Sequence, residues 1–98
     1  MIFDPLLNTL LNTDAMTSQG SAAVNLIGGR VRWMRERLQL TQDQLAGRLV
    51  RYGIYLDYVK IGQIEKGKRR VIDKELVAFA KALGVSITWL LSGDEDHL

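Results

Sequence analysis

Apolar positions recur along this chain at helical spacing. Ile27, Val31, Met34 and Leu38 lie at i, i+4, i+7 and i+11, one stripe of a first helix with Gly28 and Gly29 near its start. Thr41 followed three residues on by Gln44 is a capping-box pattern for a second helix, with Leu45, Ala46 and Leu49 on its inner face and Gly53 placed to end it after Tyr52. Ile54 to Leu56 read as a short connection. Asp57 is the predicted cap of a third helix with Ile61 and Ile64 inside, stopped at Lys66-Gly67, and Lys68-Arg69-Arg70 makes a basic loop. Asp73 is the predicted cap of a fourth helix with Leu76, Val77, Phe79, Ala80 and Leu83 inward and Gly84 at its end. Ser86 opens a fifth through Ile87, Trp89, Leu90 and Leu91, closed by Ser92-Gly93. No alternation of useful length predicts a strand, so the fold class is all-α with five core helices.

Ahead of this array, Phe3, Leu6, Leu7, Leu10 and Leu11 share one helical face behind Asp4-Pro5, a cap followed by a good first-turn residue. So short an amphipathic helix is marginal alone and needs something to pack on. Residues 13–25 lack periodicity and read as a linker. The chain therefore divides into an N-terminal amphipathic segment and linker (1–25), a globular domain (26–93) and an acidic tail (94–98). Trp33 falls between core positions of the first helix. Its expected partner is the apolar face of the N-terminal segment, with an isolated exposed ring or a subunit contact as alternatives. Trp89 is expected in the core, or on a dimer surface with Leu90 and Leu91.

Length and composition narrow the chemistry. Ninety-eight residues suit one compact domain with an appended segment. There is no cysteine, and the only histidine, His97, sits in the acidic tail. No Gly-rich phosphate loop or carboxylate pair appears either, so no enzyme activity, metal site or cofactor is expected. The longest apolar runs fall far short of the roughly 20 residues that cross a bilayer, and the N-terminus lacks a basic n-region. A cytoplasmic protein without membrane contact is the expectation. The formal net charge of +2 is unevenly placed: Leu26 to Arg70 holds eleven Lys/Arg against four acids, a local +7, and the remainder carries −5. Such segregation suits a polyanionic partner on one face, or else an ordinary solvated helical surface.

Three stretches in order, IGGRVRWMRERLQLTQDQLAGRL, IGQIEKGKRR and ELVAFAKALGVSITWLL, resemble the XRE-type helix-turn-helix family to which the Cro and phage repressors belong. The resemblance covers about residues 26–92. It implies a five-helix, lambda-repressor-like domain that binds double-stranded DNA as a transcriptional regulator, commonly as a homodimer. It implies that the third helix, at about 58–66, enters the major groove and that Tyr58, Val59, Lys60 and Gln63 reach bases. Gln42 would touch a phosphate, with Lys66, Lys68, Arg69 and Arg70 on the backbone across the groove. Arg35 and Glu65 match an internal ion pair of the family, structural and not catalytic.

The chain departs from the family pattern in three places. The connection from Arg51 to Asp57 is long. Gly62 lies inside the third helix, there either to admit DNA closely or to relieve crowding against the second helix. Tyr58 and Val59 are less polar than usual base readers. The rival reading is a protein-binding helix-turn-helix module such as an antitoxin component, with the N-terminal segment as the docking element.

Overall fold

A computed structural model describes residues 22–94, so the segment around Phe3 to Leu11 and the end of the acidic tail lie outside the described residues. Five helices follow one another: α1 (Gly28–Arg37), α2 (Gln42–Val50), α3 (Tyr58–Glu65), α4 (Asp73–Leu83) and α5 (Ile87–Ser92). No strand occurs among the described residues. α3 packs on α1 and α2, α4 packs on the same two helices, and α5 rests on α4.

Every helix contributes to one core. Val31 from α1, Leu45 and Leu49 from α2, Ile61 and Ile64 from α3, Phe79 and Leu83 from α4, and Leu90 from α5 are fully buried. Each such side chain contributes about 1.5–3 kcal/mol by leaving water. The start of α2 is fixed as its sequence predicts: Thr41 Oγ1 accepts from the Gln44 N–H at 3.0 Å, and Gln44 Oε1 accepts from the Thr41 N–H at 2.8 Å. Asp57 Oδ1 accepts from the Lys60 N–H at 2.9 Å, and Ser86 Oγ from the Trp89 N–H at 2.9 Å, capping α3 and α5.

The structure corrects several expectations. Asp73 is the first residue of α4 and not its cap; the cap position is Ile72, whose N–H donates to Glu75 Oε1 at 3.2 Å. Val77 is exposed, while Ala78 and Ala82 are buried on the face that α4 turns to the core. Trp33 packs on Trp89, ring centroids 5.8 Å apart and tilted by 48°, with the Arg37 guanidinium 5.2 Å from its ring centroid, while its expected contact with the N-terminal segment lies outside the described residues. The two rings, one from α1 and one from α5, thus cover each other at the edge of the core.

Residues 24 and 25 belong to the domain and not to a linker. The Val24 N–H donates to the Gly67 carbonyl at 2.9 Å. Asn25 does more. Its Oδ1 accepts from the N–H groups of Ile27 (3.0 Å) and Gly28 (2.7 Å), and its Nδ2 donates to the carbonyls of Ile64 (3.1 Å) and Arg69 (2.8 Å). One side chain thus satisfies donors at the start of α1 and acceptors at and beyond the end of α3. Gly28 is buried in this joint, where a Cβ would run into the Ile64 carbonyl oxygen.

Candidate nucleic-acid interface

α3 is short and apolar on its inner side, so its outer side is what it offers to a ligand. Ile61 and Ile64 point into the core with no exposure, leaving Tyr58 (57% exposed), Val59 (50%), Lys60 and Gln63 on the surface. Lys66 caps the helix, and Gly67, at φ +75°, turns the chain into the exposed Lys68. Gln42 stands at the first position of α2, half-buried beside this face. An open depression of about 380 Å³ joins Gln42, Tyr58, Val59, Gly62, Gln63, Lys66 and Lys68. The geometry thus gathers residues from two helices and a loop around the outer face of α3. Lys60 borders a different depression, with Val50, Tyr55 and Asp57.

Behind the face, three helices are tied by one carboxylate. Arg35 Nε donates to Glu65 Oε2 at 2.6 Å and Nη2 to Oε1 at 3.0 Å, while Nη1 donates to the Leu40 carbonyl at 2.7 Å. The side chains are 11% and 2% exposed. This is a two-pronged, desolvated pair linking α1 to α3 and to the turn before α2. The hydrogen bond that Arg35 donates to Glu65, outweighing the opposing effect of burial, raises the Arg35 pKa above its ordinary value. Gln42 joins the same group: its Nε2 donates to Glu65 Oε1 at 3.1 Å. Its carboxamide is therefore anchored by α3.

Counting lysines and arginines overstates the basic face. Arg30 is buried, Arg35 is held by Glu65, and Arg69 Nη1 and Nη2 donate to Glu75 at 3.0 and 3.3 Å. Arg69 thus braces the loop to α4, whereas Lys66, Lys68 and Arg70 are exposed. Arg32 pairs with Glu36 at 3.2 Å, and Arg48 Nη1 donates to the Ala82 carbonyl at 3.0 Å. Among the described residues no group of three or more His, Cys, Asp or Glu could hold a metal ion, and no helix is long and apolar enough to cross a membrane.

Sequence reasoning missed one residue of this arrangement and left the partner of another open. Asn25 was legible as a capping residue type ahead of Ile27-Gly28, but its two long-range acceptors were not. For Gly62 the sequence offered relief of crowding against the second helix as one of two readings; the residue concerned, Gln42 at the start of that helix, was not legible from spacing.

Known proteins share this frame. Residues 26–90 match the family described as helix-turn-helix domain. The HTH-type transcriptional regulator DicA of Escherichia coli (strain K12) is 40% identical over 70 residues, which make up 71% of this chain and 48% of the relative. The chain thus spans about half the length of that relative. The P22 c2 repressor protein, solved in complex with synthetic operator 9T in the presence of Tl+, is 31% identical. That match covers 71% of this chain and 98% of the repressor chain, with a TM-score of 0.61. With the motifs, the five-helix order and these matches in agreement, the chain belongs to the helix-turn-helix family of the XRE, phage-repressor-like type.

Proposed function

We propose that this protein is a sequence-specific DNA-binding transcriptional regulator that lays α3 in the major groove. One observation carries the reading: the exposed face of α3 shares a single depression with the first residue of α2 on one side and with Lys66 and Lys68 on the other. Lysines at that rim neutralise phosphates and release counterions, which supplies affinity independent of sequence. α2 meets the backbone with its first-turn N–H groups, a ready site for an anion. On α3, Gln63 has the donor and acceptor pair that matches an adenine edge, Val59 has the methyl groups that suit a thymine methyl, and Lys60 reaches guanine or phosphate. Tyr58 adds an aromatic contact at the start of the helix. The relatives support the reading, one being a transcriptional regulator and the other a repressor bound to operator.

One helix of eight residues reads few bases. The protein therefore acts as a homodimer on half-sites about 34 Å apart, as one turn of B-DNA requires. Repression by blocking a promoter is the simplest outcome for a domain of this size. Selection of bound sequences from random duplexes, followed by binding at two salt concentrations, tests this. A two-fold symmetric site with a steep salt slope is the expected result; weak binding indifferent to sequence would refute it. Replacing Lys60 and Gln63 together with alanine removes the sequence preference and leaves the fold intact.

One observation favours a second reading, a protein-binding module. Tyr55 is 75% exposed, and with Val50 it borders the depression beside Lys60. A stable complex with a protein partner that forms without DNA and is lost on Tyr55→Ala would support that reading instead.

A further inference from the structure

Gly62 sits in the middle of α3, where any other residue except proline would make a better helix. A Cβ at this position would lie 3.3 Å from Gln42 Nε2, 3.6 Å from Oε1 and 3.8 Å from Cδ. Its nearest neighbours are all in that one carboxamide. The same carboxamide donates to Glu65 Oε1 at 3.1 Å, and Glu65 is held by both prongs of Arg35. Gln42 is therefore seated between a bare stretch of helix and a fixed carboxylate. Glu65 takes one of its two amide hydrogens, leaving the other and Oε1 for a ligand at the start of α2.

We propose that Gly62 is a positioning residue for DNA binding: its missing side chain lets the Gln42 carboxamide lie across α3 onto Glu65, aimed for a backbone phosphate. The inference rests on the DNA-binding reading above and concerns how that site is ordered. A methyl group at position 62 displaces the far end of a flexible side chain and no backbone, so the domain tolerates it. What is lost is the placement of Gln42. With it goes one phosphate hydrogen bond, a loss of roughly three- to tenfold in affinity.

The test uses the full chain as wild type, Gly62→Ala, Gln42→Ala and the double variant. Three quantities are read: thermal midpoint, duplex affinity at two salt concentrations, and the nuclear magnetic resonance signals of the Gln42 side-chain amide. Gly62→Ala should leave the midpoint no lower, weaken binding by that factor and move the Gln42 amide signals towards those of a solvated glutamine. In the Gln42→Ala background, the same change at position 62 should weaken binding no further. If it weakens binding equally in both backgrounds, position 62 meets DNA directly and the proposal is overturned. Unmoved amide signals in Gly62→Ala overturn it as well, whether or not DNA is present. If the wild type binds no duplex at all, the DNA-binding reading fails and the proposal with it, a result distinct from an unmoved amide.

Discussion

The ion pair behind α3 offers the sharpest energetic test. Replacing Arg35 with methionine keeps most of the side-chain volume and removes the charge. Glu65 is left 2% exposed, losing both guanidinium donors and keeping only the Gln42 amide, and the Leu40 carbonyl loses its partner. Breaking a buried pair from one side costs about 3–5 kcal/mol, because the remaining charge has neither water nor a counter-charge. Against a total stability of about 5–15 kcal/mol this is a large fraction. Urea unfolding followed by circular dichroism, compared at constant m-value, measures it. The double variant Arg35→Met/Glu65→Leu should recover at least about 1–3 kcal/mol relative to the sum of the single changes, since nothing charged then stays buried. A single-variant loss below about 1 kcal/mol would mean that the pair behaves like a solvated surface bridge, and the account of a desolvated clamp would be wrong.

The pH dependence of the same difference has a defined sign. Glu65 raises the Arg35 pKa, so the arginine's contribution is complete below the ordinary arginine range. It is lost only as pH climbs through the raised value. The gap between wild type and Arg35→Met should accordingly be the same at about pH 7 and about pH 9. A gap that shrinks over that interval would refute the assignment.

The remaining predictions concern the joint and the rim. Gly28→Ala should destabilise by about 1–3 kcal/mol or more, since its Cβ meets the Ile64 carbonyl, whereas Gly47→Ala, with open space around it, should stabilise α2 by about 1 kcal/mol; chemical denaturation compares the two. Asn25→Ala removes a side chain that makes four hydrogen bonds and should cost about 2–3 kcal/mol in the same assay. Lys68→Ala should lower the salt slope of duplex binding by about 1 without changing the thermal midpoint. Arg69→Ala should do the reverse, lowering the midpoint, because its guanidinium is engaged by Glu75.

How far the sequence reached depended on the range of the interaction. α2, α3 and α5 were capped where Thr41, Asp57 and Ser86 said they would be, since a cap is a bond across three residues and its chemistry is written locally. The inward isoleucines of α3 followed from their spacing, and that spacing alone left Tyr58, Val59, Lys60 and Gln63 for the outside. Five helices in this order were legible from apolar spacing and caps, and the family resemblance, resting on motifs spread over the whole domain, agreed with them.

Tertiary structure decided everything that depends on which helix faces which. Val77 had the apolar character of a core residue, but the orientation of α4 on its neighbours buried Ala78 and Ala82 and left Val77 exposed. Trp33 was an anomaly along its own helix until α5 brought Trp89 to within 5.8 Å. Charge could be counted from the sequence but not allotted: Arg69 belongs to Glu75, and Lys68 one residue earlier is exposed. Asn25 looked like the end of a linker because both of its acceptors are about forty residues away in the chain. Gly62 pointed to crowding against the second helix or to DNA, and only packing singled out Gln42 as its neighbour. Periodicity and capping act over a few residues and are fixed by the chain itself, whereas side-chain partners come from helices that only packing brings together.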